Sequence, residues 1–311
     1  MSEPSSASGE ARLALTAGVG CYLIWGFVPL AFQAMGRLGV GSWEILAHRT
    51  LWGAPTALLL VLIARQGRQV MAVFTNRKVL AWLLLSSALI AANWAIFITA
   101  VNSGRVLEFS FGYYITPLLN MASGALFFRE RIDRIGIISM GLAAVGVAFQ
   151  ALALGHLPLI SLALAVSFGG YGVVRKQVQA DAQTGLFIEC LLLSVPGVLY
   201  LAWLGNQGLG HFTASTETTL WLIAAGPITA LPLALFAWCA RRLPLSTMAF
   251  MQFIGPTIGF AIGIAQHEAF TALHAASFVF IWGGAAIFAW GAWRRSRLAL
   301  RAQSIVEAAA K

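Results

Sequence analysis

Three ionisable residues lie close together in the segment SWEILAHRTLW, which begins at Ser42 and opens an apolar run that continues to Ala64. Glu44 and His48 are four residues apart, so a helix would place them on one face, with Arg49 about 100° further round. Three kinds of chemistry fit this set. Arg49 can bind a carboxylate, His48 can carry a proton, or the side chains can form a salt bridge that locks helices together.

Further polar and aromatic side chains interrupt the other apolar runs and could line a pocket for a small molecule. Polar groups inside a membrane span are costly and are therefore functional candidates, and aromatic walls with a few polar groups suit small-molecule sites. The candidates are Asn93, Trp94, Tyr113, Tyr114, Asn120, Glu189, Gln252 and Phe253, with Trp25 and Tyr171 as further wall residues. Interhelical hydrogen bonding and ordinary packing explain the same side chains, so both interpretations stay open.

The composition indicates which elements must position these residues. Of the 311 residues, 59% are hydrophobic and only 10% are charged, and the mean hydropathy is +0.81. A soluble domain has about 25% charged residues, so we expect an integral membrane protein. The net charge of +9 comes from short basic blocks between apolar runs, which favours a role in membrane topology over nucleic-acid binding. The three cysteines have no metal-binding or disulfide spacing, and neither a metal nor a cofactor is predicted.

Ten apolar runs are long enough to cross a bilayer as helices, which takes about 20 residues each. They are 13–33, 42–64, 79–99, 106–127, 133–152, 157–174, 184–204, 219–239, 244–264 and 272–293. With the N-terminus in the cytoplasm, all Lys and Arg residues except Arg37, Arg49 and Arg105 fall on the cytoplasmic side, as the positive-inside rule requires. The sequence predicts an all-α integral membrane protein with ten transmembrane helices and cytoplasmic N- and C-termini.

An internal repeat divides the ten predicted helices into two sets of five. Residues 111–124 and 250–263 match at an offset of 139, and the match pairs Pro117 with Pro256. These segments belong to spans four and nine, which run in opposite directions, so the repeats are predicted to be inverted, an arrangement that places the solute site of many transporters near the midplane. The two prolines, which kink a helix, are candidate hinges or ordinary packing kinks.

The predicted domain organisation follows from this repeat. A disordered cytoplasmic tail at 1–12 precedes the first repeat at 13–152, and the second repeat at 157–293 precedes a basic cytoplasmic tail at 294–311. Glu44 and Glu189 form a looser echo, because each lies near the start of the second span of its repeat. The inverted arrangement puts them near opposite surfaces, where they are candidate gate residues rather than members of one site.

Several segments of the chain closely resemble the RarD group of the EamA family, in the drug/metabolite transporter superfamily. They are EILAHRTLW, NWAIFITAVNSGRVLEFSFGYYITPLLN, FFRERI, GGYGVVRKQV and LPLSTMAFMQFIGPTIGF. The resemblance covers about residues 13–293 and implies two inverted five-helix repeats in a bacterial inner membrane that move small organic solutes by alternating access. It points to metabolites, amino-acid-like compounds or drugs such as chloramphenicol. One departure is AQHEAF after span nine, where the family usually has a Gly-Glu-Pro-like turn.

The leading hypothesis is therefore a secondary transporter rather than an enzyme. The sequence GxxxxGK[ST] does not occur, so direct use of ATP is not expected. The expected partners are a small-molecule solute and the lipid bilayer, with coupling to protons and a homodimer left open. Two alternatives remain: an intramembrane enzyme, which the lack of HExxH disfavours, and a non-transporting membrane assembly factor.

Overall fold

The computed structural model describes residues 4–128, 133–240, 242–243 and 251–309, and every regular element within these ranges is an α-helix. The helices are α1 (Pro4–Arg37), α2 (Ser42–Ile63), α3 (Gly67–Thr75), α4 (Arg77–Asn102), α5 (Val106–Phe128), α6 (Arg134–Leu154), α7 (Leu159–Gln177), α8 (Ala182–Asn206), α9 (Thr216–Ala240), α10 (Ile254–Ala265) and α11 (Ala272–Ala309). The all-α prediction is confirmed for this part of the chain.

Eight of the described helices are long and apolar enough to cross a membrane: α1, α2, α4, α6, α7, α8, α9 and α11. Helix α5 adds 23 mostly apolar residues. Helix α10 has only 12 residues, about 18 Å at 1.5 Å per residue, which is shorter than a bilayer core. The predicted ninth span began at residue 244, and residues 244–250 lie outside the described part of the chain. Large apolar side chains such as Leu59, Val195 and Leu199 face outward, as lipid contact requires.

Helix α1 begins earlier than the sequence suggested. The structure describes residues 4–12 as the first turns of α1, whereas a disordered tail was expected there. Proline is favourable at the first helical position, and the Ala, Ser, Glu and Arg residues that follow Pro4 extend a helix that the membrane span has already nucleated. At the other terminus, α11 runs without interruption through the basic segment to Ala309.

Helix α2 lies at the centre of the packing. It contacts α8 and α9 most extensively, while α5 packs on α7, α4 on α7, α1 on α9 and α10, and α6 on α11. The α2–α9 crossing brings two backbones into contact at the middle of both helices. A Cβ atom on Gly226 would lie 2.3 Å from the carbonyl carbon of Trp52, so this approach needs a residue without a side chain.

The two ends of the bundle differ in the charges they carry. We call one the basic end; it holds the start of α1, the α2–α4 and α7–α8 connections and the end of α9, with basic residues Arg65, Arg68, Arg77, Lys78, Arg175, Lys176 and Arg242. We call the other the acidic end; it holds the α1–α2, α4–α5, α8–α9 and α10–α11 connections, with carboxylates at Glu44, Glu108, Glu217 and Glu268.

Candidate solute-binding cavity

A cavity of about 480 Å³ lies inside the bundle and receives side chains from eight helices. Its aromatic walls are Tyr22, Trp25, Trp94, Phe97, Phe109, Tyr113, Phe168, Tyr171 and Phe236, and its polar lining is Arg49, Asn93, Arg175, Gln183, Thr229 and Gln252. This volume falls in the range of about 300–1,000 Å³ typical of small-molecule sites, and a mostly apolar wall with few polar groups is the usual design of such sites.

Arg49 is the most unusual lining residue, because its charge is buried and has no anionic partner among the described residues. The residue is only 8% exposed, and its Nε and Nη1 atoms have no hydrogen-bond partner among the described residues. Its guanidinium carbon lies 4.1 Å from the ring centroid of Trp94 and 5.3 Å from that of Phe32. These cation–π contacts hold the guanidinium in place, and leave its Nε and Nη1 atoms without a hydrogen-bond partner in the described structure.

Asn93 and Tyr113 form a braced wall beside Arg49. The hydroxyl of Tyr113 donates to Oδ1 of Asn93 at 3.1 Å, and the amide of Asn93 donates to the carbonyl of Leu164 at 3.1 Å and to Ser167 at 3.0 Å. Both ends of the Asn93 amide are thereby used, and the network joins α4, α5 and α7. Asn93 therefore shapes the cavity more than it offers free hydrogen bonds to it.

The structure separates Glu44 and His48 from Arg49. The carboxylate of Glu44 accepts the backbone N–H of His211 at 2.7 Å and lies 2.8 Å from Nδ1 of its ring. The ring of His48 stacks on Phe212, with centroids 4.9 Å apart, and its Nδ1 accepts from the indole of Trp52 at 3.3 Å. Glu44 and His48 thus face the α8–α9 connection, and only Arg49 of the three lines the cavity.

Glu189 lies just behind the cavity wall, towards the basic end. It is 1% exposed and accepts hydrogen bonds from Ser86 at 2.6 Å and Tyr171 at 3.2 Å. Nε of Arg175 lies 3.7 Å from its Oε1. Since Tyr171 and Arg175 both line the cavity, Glu189 fixes two wall residues and balances the charge of one of them.

The remaining predicted residues divide between the cavity and the α5–α10 interface. Gln252 and Pro256 line the cavity. Tyr114 instead stacks on Phe253, with centroids 6.2 Å apart, and shares a 2.7 Å hydrogen bond with Thr257.

The two predicted hinge prolines have different positions. Pro256 is the third residue of the described helix α10, where its missing N–H removes no intrahelical bond, so it does not kink the described helix. Pro117 lies within α5. Its side chain, like that of Asn120, lies outside the described residues.

Several polar contacts lie at the acidic end of the bundle. Gln33 and Gln266 exchange side-chain hydrogen bonds of 2.9 and 2.7 Å across α1 and α10. Arg105 holds Glu108 through two bonds of 2.7 and 2.8 Å. Glu268 accepts the backbone N–H groups of Val106 and Leu107 at the start of α5, where a negative charge is favoured. Burial raises the pKa of Glu268, and these two donors oppose the rise.

The cavity continues towards the basic end. A second void of about 560 Å³ shares Leu60, Gln183 and Ala234 with the cavity and extends past Trp238 and Arg242. The two voids therefore adjoin between α1, α2, α8 and α9. In this conformation the path from the cavity leads to the basic end.

Several wall residues were not predicted from the sequence: Tyr22, Phe97, Phe109, Phe168, Arg175 and Thr229. A signal for some of them existed in the helical spacing. Phe97 lies four residues after Asn93, Phe109 four residues before Tyr113, and Phe168 three residues before Tyr171, so each shares a helix face with a predicted residue.

Comparisons with known proteins agree with this architecture. Residues 12–152 match the model of the EamA-like transporter family. An "Uncharacterized transporter" of Vibrio cholerae serotype O1 is 40% identical over 94% of this chain and 97% of its own length. "Protein RarD" of Escherichia coli K12 is 37% identical over 90% of this chain and 94% of its own.

One solved crystal structure has the same fold. It is 18% identical, covers 90% of this chain and 97% of its own, and has a TM-score of 0.60. Together with the eight apolar helices, the bacterial relatives indicate a multi-pass protein of the bacterial inner membrane. This chain belongs to the EamA-like transporter family, in the group that contains the RarD proteins.

Proposed function

We propose that this protein is a secondary transporter that moves a small organic solute across the bacterial inner membrane by alternating access. The observation that carries the proposal is the cavity of about 480 Å³, which adjoins a second void towards the basic end, while polar contacts join the helices at the acidic end. A void of this size in the middle of a membrane bundle suits one solute molecule. The basic end is the cytoplasmic face in this proposal, because basic connections stay inside.

The proposed architecture is ten transmembrane helices in two inverted five-helix repeats, with both termini cytoplasmic. The helix packing supports it. The ten spans are counted in chain order without the short helix α3, and each is exchanged for the span five positions away. The α2–α9 contact then becomes α8–α4, the α4–α7 contact becomes α9–α1, and the α5–α7 contact becomes α10–α1. All three of these contacts occur. The pairs α2–α8, α5–α10 and α6–α11 map onto themselves.

The packing is not equal in the two repeats, and this inequality supports alternating access. Helix α2 packs more extensively on α9 than α8 does on α4. In a protein built from inverted repeats, exchanging the two arrangements gives a second conformation that is open at the opposite end. That conformation requires the polar contacts of the acidic end to separate.

The predicted residues take different roles in this proposal. Arg49, Asn93, Trp94, Tyr113 and Gln252 form the solute site. Glu44, with His48 packed beside it, closes the acidic end, and Glu189 supports the basic end. Tyr114 and Phe253 belong to the α5–α10 contact, Pro256 lines the cavity at the start of α10, and Pro117 and Asn120 lie in α5. The solutes to be tested first are metabolites, amino-acid-like compounds and drugs such as chloramphenicol.

Solute flux into proteoliposomes tests the proposal. A panel of radiolabelled metabolites and chloramphenicol should include at least one with saturable flux, and Trp94→Ala should reduce that flux at least tenfold. Trp203→Ala is the matched control, because Trp203 is 52% exposed on the outer face of α8. Flux measured with and without an imposed pH gradient reports proton coupling, and light scattering of the purified protein in detergent, corrected for the bound detergent, reports whether it is a homodimer.

Two outcomes of the flux assay would contradict the proposal. Absence of flux for every solute, or flux unaffected by Trp94→Ala, would remove the cavity from the transport path. Chemical turnover of a solute without flux would instead favour the intramembrane enzyme.

A further inference from the structure

The charge balance of the cavity restricts the class of solute. Arg49 and Arg175 are the charged residues that line it, and the described lining includes no aspartate or glutamate. Residues 244–250, which the structure does not describe, contain no ionisable side chain either. A buried charge without a partner is costly, so the site as it stands favours an anionic occupant.

The two arginines differ in how far their charges are balanced. Glu189 lies 3.7 Å from Arg175, and a further bond from Arg175 to the carbonyl of Asp181 holds the guanidinium towards the basic end. Arg49 has only aromatic faces beside it, and its Nε and Nη1 atoms are unbonded within the described structure. One uncompensated positive charge therefore remains, and it belongs to Arg49.

The described lining offers a positive group no carboxylate as a counter-charge. The carbonyl oxygen of Asn93 already accepts from Tyr113, the hydroxyl of Tyr171 already donates to Glu189, and Glu189 itself does not line the cavity. A zwitterion would bring an ammonium group into a site whose described wall supplies no carboxylate to receive it. Its charge would therefore be left without a counter-charge among the described lining residues, beside two guanidinium groups of the same sign.

We infer that the cavity is selective for a monoanionic organic solute, in which a carboxylate or similar planar oxyanion meets Arg49 and a flat apolar body lies between the aromatic walls. This inference rests on the proposed function and specifies the solute class of that site. A guanidinium can form two parallel hydrogen bonds with a carboxylate. The cation–π contact with Trp94 positions the guanidinium before the solute arrives, which lowers the cost of binding.

Four probes that share a phenyl ring test the inference on purified protein in lipid nanodiscs. They are 3-phenylpropionate as the monoanion, 3-phenylpropionamide as its neutral analogue, phenylalanine as the zwitterion and 2-phenylethylamine as the cation. We expect 3-phenylpropionate to quench tryptophan fluorescence saturably, with a Kd at least about tenfold lower than that of each other probe, since a hydrogen bond to a charged group discriminates by about this factor or more.

Variants at position 49 assign the selectivity to Arg49. Arg49→Gln should reduce the ratio of the amide and propionate Kd values to about one, and Arg49→Lys should restore part of it. Arg37→Gln, on an exposed residue at the end of α1, should leave the ratio unchanged. If Arg49→Gln does not fold, the Kd values of the four probes for the unaltered protein and for Arg49→Lys still show whether the cavity prefers the monoanion.

Two results would overturn the inference. One is a phenylalanine or amide affinity equal to that of the propionate in the unaltered protein. The other is no binding of the propionate at all. If flux depends on Trp94 but is insensitive to the charge of the solute, the selectivity for anions is wrong while the transporter proposal stands, so the two failures are distinguishable.

Discussion

The two ends of the bundle contain buried glutamates in corresponding places, yet their surroundings differ. Glu44, near the start of α2, binds a residue of the α8–α9 connection, namely His211. Glu189, near the start of α8, binds side chains of neighbouring helices, Ser86, Tyr171 and Arg175. One carboxylate therefore fixes a connection over the closed end, and the other fixes the cavity wall beside the open path. Two buried carboxylates, one near the start of α2 and one in the first half of α8, therefore have different roles in one conformation.

The largest effect is expected at the contact between α2 and α9, which lies midway between the two ends of the bundle. Gly226→Val places a branched side chain where even a Cβ atom would lie 2.3 Å from the Trp52 backbone. We expect α2 and α9 to separate and the free energy of unfolding to fall by about 3 kcal/mol or more. Thermal unfolding followed by size-exclusion chromatography measures this. Gly141→Ala is the control, because a Cβ there meets no atom within 4 Å, and an equally large loss in that variant would contradict the explanation.

The next largest effect concerns the open path. Glu189→Gln keeps the shape, but its single amide oxygen can accept from only one of Ser86 and Tyr171, and Arg175 loses its counter-charge. We expect a loss of about 2 kcal/mol in the free energy of unfolding and reduced flux. Differential scanning calorimetry and the flux assay measure these changes. Glu217→Gln, on an exposed residue, should show neither, and an equal fall in both variants would argue against a special role for Glu189.

A smaller effect is expected at the closed end, where the partner of Glu44 is 35% exposed. Glu44→Gln weakens the pair with His211 by about 1 kcal/mol and should favour opening at the acidic end. The measurement is the labelling of Thr229→Cys, a cavity position, by an impermeant maleimide added on that side.

The partner residue provides the control for Glu44. His211→Ala should increase the labelling to the same degree, and the double variant should add nothing further, because coupled partners are not additive. Fully additive increases would show that the two residues act separately.

The smallest effect is expected at the pair of glutamines. Gln33→Ala removes two hydrogen bonds to Gln266 that are exposed to solvent, and exposed bonds contribute little because water replaces them. We expect a change of about 0.5 kcal/mol and a barely increased labelling rate. If Gln33→Ala opened the acidic end more than Glu44→Gln, the glutamines rather than the buried carboxylate would hold it closed.

The sequence predicted the helices well because the length of an apolar run is a direct physical requirement of the bilayer. The run predicted at 42–64, for example, is helix Ser42–Ile63. Arg49 was found for a similar reason, since a charge inside such a run is costly wherever it points. What could not be predicted is which residue, far away in the sequence, each polar side chain contacts. His211 lies 167 residues after Glu44, and no local pattern brings the two together.

The wall residues show a second limit of sequence reasoning. Phe97 and Phe109 are aromatic residues in apolar helices, where lipid-facing and cavity-facing rings have the same composition. Only the packing of α4, α5 and α7 distinguishes the two surfaces. The early start of α1 has a similar origin, because a polar segment reads as disordered until the adjoining helix extends through it.

The contact between Gly226 and Trp52 lies near the middle of both α9 and α2. Two rigid rods that touch at their midpoints cannot approach further there, although each can tilt about the point of contact. When the two helices tilt in this way, the gap between them widens at one end of the bundle and narrows at the other. The close contact that Gly226 allows would thus act as a pivot, and the tilt about it would prevent both ends of the bundle from being open at once.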